Sequence, residues 1–214
     1  MQGKDATRIG VYGASGSGKS TLVKTMLKSD HRQIVFDPMD EYTAYGYRRF
    51  EKLPVMGKAL AKAWGKGFRF CYVPPANREP VALHQLARML KAMQSDYKAN
   101  RDKRKITLIV EELNLSFPVT SLPQELAGFS DICSRGRHYG INIIGITQRP
   151  AEVNTRFRGN LEGQYIFRLA EHNDISAIQK TLGPEGAAEV KALAQHEYIH
   201  FVNGNREKGK NKLK

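Results

Sequence analysis

Gly13-Ala14-Ser15-Gly16-Ser17-Gly18-Lys19-Ser20 fits the pattern G-x-x-x-x-G-K-S/T at every fixed position. It follows Arg8-Ile9-Gly10-Val11-Tyr12, which reads as a short buried strand. It precedes Thr21-Leu22-Val23-Lys24-Thr25-Met26-Leu27-Lys28, which reads as a helix. A glycine-rich loop between strand and helix can wrap a polyphosphate with its backbone N–H groups, because no bulky side chain blocks the approach. The helix N-terminus adds the positive end of its dipole. The loop from Gly13 to Ser20, with Thr21 behind it, is therefore expected to bind a nucleoside triphosphate. Lys19 is expected on the β- and γ-phosphates, and the Ser20 hydroxyl on Mg²⁺.

Working outward, the chain alternates strands with helices. Gln33–Phe36 reads as a second strand, ended by Asp37-Pro38, and Phe68–Val73 as a third, ended by Pro74-Pro75. Leu86, Met89, Leu90, Met93 and Tyr97 fall on one helical face. Ile106-Thr107-Leu108-Ile109-Val110 is a continuous apolar run, as a central parallel strand requires. A helix opened by Pro123 and stopped near Gly140 leads to a strand at Ile141–Ile146. Tyr165–Leu169 and Tyr198–Val202 read as strands, with helices at Asp174–Leu182 and Pro184–Ala194 between them. This order predicts a doubly wound, mostly parallel α/β sheet flanked by helices. Residues 1–7 are expected to be loose, 8–205 to form one domain, and 206–214 to be a basic disordered tail.

Composition narrows the partners. At 214 residues the chain can bury one full core. Its formal net charge of +13 favours a polyanion, nucleic acid first and an anionic membrane second. No apolar run is long enough to span a membrane, and residues 1–5 lack the apolar core of a signal peptide. Cys71 and Cys133 have no Cys or His at metal spacing and read as half-buried thiols of a reducing compartment. Residues 43–67 interleave Tyr45, Tyr47, Phe50 and Trp64 with six cations. This tract has two readings. It is an insertion that grips phosphates, through Arg48, Arg49, Lys52 and Lys58 in particular, or an amphipathic helix with Met56, Leu60 and Trp64 in the core.

The central strand runs into Glu111-Glu112. An apolar strand ending in two acids downstream of such a loop is a Walker B pattern. The first acid holds the Mg²⁺ shell, and the second polarises the attacking water.

Here the sequence resembles a family. Asp37-Pro38-Met39-Asp40-Glu41-Tyr42 looks like the D-P-x-x-E-Y of HerA-type ATPases. Arg137-His138-Tyr139-Gly140-Ile141 is similar to the R-x-Y-G-I of the FtsK–HerA superfamily, and Thr147-Gln148-Arg149-Pro150 matches the T-Q-R-P of FtsK. The resemblance covers roughly residues 8–202 and implies a RecA-like P-loop ATPase of ASCE type that binds ATP and Mg²⁺. It implies Gln148 as a sensor of the γ-phosphate or lytic water. It also implies an arginine acting on a neighbouring subunit's site, Arg137 first and Arg135 second, in a homo-oligomeric ring. The residue-level alternative for both is a basic helix terminus favoured by the dipole. Arg149, Arg156 and Arg158 would face DNA or a neighbour. The family usually has Asp before Glu in Walker B, so with Glu111 first a swap with Glu41 as the base stays open.

The bare motor core resembles the small genome-packaging ATPases of tailless, membrane-containing viruses. That implies translocation of DNA, double-stranded by expectation, at a virion packaging vertex or in the host cytoplasm. A capsid-vertex or membrane protein would be the docking partner. Assembly ATPases of filamentous phages are the alternative within the superfamily. A P-loop small-molecule kinase and a nucleotide-gated DNA-binding scaffold are the alternatives outside it. An ABC ATPase lacks support without L-S-G-G-Q, and a GTPase without N-K-x-D.

Overall fold

The computed structural model describes residues 6–28 and 30–211. Nine strands form one sheet: β1 (Arg8–Tyr12), β2 (Arg32–Phe36), β3 (Arg48–Phe50), β4 (Phe68–Tyr72), β5 (Ile106–Val110), β6 (Ile141–Thr147), β7 (Gly163–Phe167), β8 (Glu197–Val202) and β9 (Asn205–Lys210). The order across the sheet is β3-β4-β2-β5-β6-β1-β7-β8-β9. The first seven in that order are parallel, and β8 and β9 close the sheet as an antiparallel hairpin. The loop strand β1 is separated from the Walker B strand β5 by β6, which is the ASCE arrangement.

The helices are α1 (Lys19–Met26), α2 (Leu53–Ala63), α3 (Glu79–Met93), α4 (Ser95–Lys98), α5 (Leu113–Ser116), α6 (Gly128–Arg135), α7 (Thr155–Arg158) and α8 (His172–Ala192). Because side chains alternate across a strand, each central strand feeds both layers. Ile34, Phe36, Leu108 and Val110 pack with Met56, Leu60, Leu86, Leu90 and Phe129 on one side. Val35 and Ile109 pack with Leu22, Val23 and Tyr42 on the other. Burial on both faces is why these strands read as continuous apolar runs. α8 breaks at Gly183 (φ 75°), where Pro184 follows, so it runs as the two helices the sequence predicts.

Two expectations change, and an open one is decided. Residues 205–210 are not a disordered tail but the edge strand β9. Two of its three cations are matched: Lys208 pairs with Glu197 at 2.8 Å, and Arg206 reaches Glu189 at 3.3 Å and donates to the Leu182 carbonyl. Ladder pairing with β8 supplies the order that the polar side chains do not advertise. Residues 212–214, like 1–5, lie outside the described residues, but Ala6 is buried and Thr7 donates its N–H to Asn142. Of the two readings of the tract 43–67, the amphipathic helix with Met56, Leu60 and Trp64 in the core is the one the structure shows. β3 pairs with β4, and α2 buries Met56 and Leu60 while Trp64 packs against the same core. Cys71 and Cys133 are fully buried rather than half-buried.

Candidate nucleotide site

The strand register brings four loops to one edge of the sheet. Tyr12 is level with Thr147, Val110 with Gly145, and Phe36 with Val110, so residues 13–18, 37–42, 111–112 and 147–149 all emerge side by side. This carboxyl edge is where parallel α/β sheets bind ligands.

The loop turns through Gly16 (φ 68°) and Gly18 (φ 104°), conformations that disfavour any other residue. Glycine is also needed at Gly13 on steric grounds: a Cβ there would lie 2.5 Å from that of Phe167. Ala14, Ser15 and Gly16 are exposed at the loop's crest. Lys19, in the first turn of α1, is buried and donates to the carbonyls of Gly13 (2.8 Å) and Ala14 (3.0 Å). Burial lowers its pKa, and the charges of Glu112, Glu111 and Glu41 act in the opposite direction. Three sequence-predicted acids therefore surround the loop's one lysine. Ser17 Oγ is buried without a hydrogen-bond partner.

Glu111 ends β5 almost fully buried. It accepts a hydrogen bond from the Tyr42 hydroxyl at 2.7 Å. Burial pushes its carboxyl up to about 7; the Tyr42 bond opposes that rise, and the nearby Glu41, Asp37 and Glu112 add to it. Tyr42 is itself set by Asp37, whose carboxylate accepts from the N–H groups of Glu41 (3.1 Å) and Tyr42 (2.8 Å). D-P-x-x-E-Y thus works as a turn in which the Asp fixes the Tyr and the Tyr fixes the Walker B acid. Glu112 takes a left-handed conformation (φ 43°) and accepts from the Gln148 amide at 3.2 Å. Thr147, buried, donates to Asn114 Oδ1 at 2.8 Å and accepts from Arg149 N.

The structure brings together Gly13–Thr21, Glu111, Glu112 and Gln148. It does not bring Arg135 and Arg137 there. Arg135 and Arg137 precede Ile141, at the opposite end of the seven-residue strand β6 from Thr147. That is about 20 Å at the usual rise per residue. Arg137 is exposed, while Arg135 is exposed and reaches Asp131 at 3.4 Å. Arg149 is tied to Asp174 (3.1 Å), Glu152 (3.2 Å) and Glu171 (3.7 Å).

The other cations are dispersed. Arg49 is paired with Asp40 and Glu51, and Lys52 is the residue before α2. Arg156 lines a cleft beside α6, and Arg158 donates to the Val153 carbonyl. Arg48 and Lys58 share a groove at the β3 edge.

Asn211 was not legible as part of this site. Its side-chain amide donates to the Gly18 carbonyl at 2.8 Å, and its N–H to His196 O at 2.9 Å. It sits just past β9, in the stretch whose composition suggests disorder.

As to Mg²⁺, the oxygen-only donor set of Ser20, Glu111 and its acidic neighbours fits a hard divalent ion. A carboxyl pushed to about 7 among three other acids is one whose ionised form a cation would favour.

The comparisons agree with this geometry. A family model described as "Helicase HerA, central domain" matches residues 6–132, more than half of the chain. No curated protein matches the chain. Among solved structures, the genome-packaging NTPase B204 of Sulfolobus turreted icosahedral virus 2, in complex with ATP-gammaS, is 20% identical with a TM-score of 0.75, covering 100% of both chains. B204 of Sulfolobus turreted icosahedral virus, described as a DNA-packaging ATPase, is 21% identical with a TM-score of 0.72, covering 99% of this chain and 98% of that one. VirB4 of Thermoanaerobacter pseudethanolicus is 14% identical with a TM-score of 0.65, covering 100% of this chain and 92% of that one. With its phosphate loop, inserted strand and paired acids on one edge, the chain belongs to the HerA central-domain family of P-loop ATPases.

Proposed function

We propose that this protein hydrolyses ATP to drive DNA through a homo-oligomeric ring, as a viral genome-packaging motor. The observation that carries the reading is the meeting of Lys19, Glu111, Glu112 and Gln148 at one sheet edge, with Glu112 held by the Gln148 amide. Likeness to B204 over the full length of both chains supports the packaging branch.

In this mechanism the loop N–H groups and Lys19 take the charge of the β- and γ-phosphates. Glu112 accepts a proton from the water that attacks the γ-phosphorus. The bond to the β-phosphate oxygen breaks, leaving ADP and phosphate. Gln148 aligns Glu112 and reports the change to residues 149–158. Ser20 and Glu111 would hold Mg²⁺, which when bound would offset phosphate charge. Arg137, too far from its own loop, is assigned to the neighbour's site, with Arg135 second. A capsid-vertex or membrane protein is assigned as the docking partner; among the described residues no helix is long and apolar enough to cross a membrane.

The test is ATP turnover with and without duplex DNA, alongside mass in solution with a non-hydrolysable analogue. DNA-stimulated turnover by an assembled ring is expected. Turnover by a clean monomer, unaffected by DNA, would overturn the reading.

A further inference from the structure

Two adjoining clefts run along the β3–β4 edge of the sheet. One, of about 550 Å³, lies between this edge and α2. The other, of about 510 Å³, continues toward the end of α1. They share Arg48, Lys66 and Gly67, so they form one continuous groove. Its walls are cationic on both sides: Lys58, Lys62 and Lys66 from α2 and the turn after it, and Arg48 and Arg69 from the strands. Lys24 and Lys28 extend it, and Asp30 is the single acid among the described lining residues.

These charges are held for something other than one another. Lys28, Lys58, Lys62 and Lys66 are exposed and form no ion pair among the described residues. The strand cations are braced on rings, Arg48 over Phe50 (5.0 Å) and Arg69 over Tyr47 (4.5 Å), and so is Lys24 of α1, over Tyr45 (3.0 Å). Asp30 is partly engaged, accepting from Arg32 N at 3.0 Å. Like charges gathered without counter-charges repel, and a polyanion removes that cost.

We propose that this groove seats the sugar–phosphate backbone of one strand of duplex DNA, independently of sequence. Lys58 and Lys62 lie four residues apart on α2, about 6 Å along its axis, a spacing suited to successive phosphates, and Lys66 follows in the turn. Val55, half exposed on the same wall, and Ala59 give an apolar strip for the sugar faces. A flat membrane would meet only the rim of a groove charged on both walls. The inference rests on the reading of the protein as a DNA motor. It moves the contact away from Arg49, whose charge is spent on Asp40 and Glu51.

The test is binding of a fluorescently labelled duplex, by anisotropy across a salt series. Wild type is compared with Lys58→Glu/Lys62→Glu/Lys66→Glu and with Lys103→Glu/Lys180→Glu/Lys191→Glu, which makes the same charge change at exposed positions elsewhere. Thermal melting checks that each is folded. The milder Lys58→Gln/Lys62→Gln/Lys66→Gln replaces the first if it does not fold. The groove variant should bind roughly tenfold or more weakly, with the log–log salt slope reduced by about two to three, since each neutralised phosphate contributes roughly 0.9. The control should keep most of the affinity. Equal binding by wild type and groove variant would overturn the groove while leaving the DNA motor intact. In that case the cations merely guard an edge strand against pairing. Equal losses in groove and control variants would also overturn it, as an effect of overall charge. No duplex binding by wild type would overturn both readings, and binding instead to vesicles containing phosphatidylserine would assign the groove to a membrane.

Discussion

Glu112 holds a backbone conformation that non-glycine residues enter at a cost of about 1–3 kcal/mol, and such strain collects at sites where a side chain must be aimed. What it is aimed at is the Gln148 amide and the loop edge. Glu112→Gln keeps the shape and removes the base. We expect ATP binding to persist and turnover to fall roughly a hundredfold or more, the scale of losing a key polar group. Single-turnover hydrolysis with a parallel nucleotide-binding assay measures both. Near-wild-type hydrolysis would move the base to Glu41, which is exposed. Lys19→Ala should instead lose tight triphosphate binding. Tyr42→Phe tests the buried contact with Glu111. Leaving a buried acceptor without its donor should cost about 1–3 kcal/mol in chemical denaturation, and an unchanged midpoint would make the contact idle. At this scale the loop and the paired acids were legible because their spacing is local. Tyr42 on Glu111 was not, since 69 residues separate them and only the sheet register joins them.

At the scale of elements, α2 is fastened to the rest of the fold at its far end. Trp64 donates its indole N–H to Asp102 at 3.2 Å, and Arg104 binds the same carboxylate. The Arg104 side chain foremost, with its backbone N–H and Trp64 behind it, holds the Asp102 carboxyl well below its ordinary value of 3.8. A carboxyl with a depressed folded pKa stabilises the fold above its unfolded value, and that stabilisation disappears as pH falls through the folded one. Asp102→Asn should therefore lose about 1 kcal/mol near neutral pH, with the gap to wild type closing below about pH 4. As Trp64 is the only tryptophan, its fluorescence during urea unfolding reads the gap directly. A gap independent of pH would assign the loss to packing. The amphipathic pattern of α2 was legible because its apolar positions recur at helical spacing. β9 was not, because Asn205–Lys210 is polar throughout and owes its order to a partner strand and to acids on β8 and α8.

For the whole molecule, the position of Arg137 at the far end of β6 puts it out of reach of its own loop, so its proposed role is on a neighbour's site. Mixing Arg137→Ala with Glu112→Gln tests this. In a closed ring some interfaces then pair an intact Glu112 with an intact Arg137, and part of the ATPase activity should return. A mixture as inactive as its parts would count against Arg137, and Arg135 would be tried in the same way. The mostly parallel sheet flanked by helices was legible from the alternation of strands and helices, whereas the order of its strands comes only from the structure. The proposed ring is not legible in the same way, because no spacing within one chain encodes a neighbour. One contact also sets a timetable. The Gly18 carbonyl accepts both from the Leu22 N–H, as the first bond of α1, and from the Asn211 amide, so the start of the helix is tied to the end of β9. The loop and its brace lie 193 residues apart. A chain emerging from the ribosome therefore exposes its phosphate loop long before it can steady it. This second hold on Gly18 forms only once β9 has been made and paired, so the last strand of the sheet finishes a loop that the first strand began.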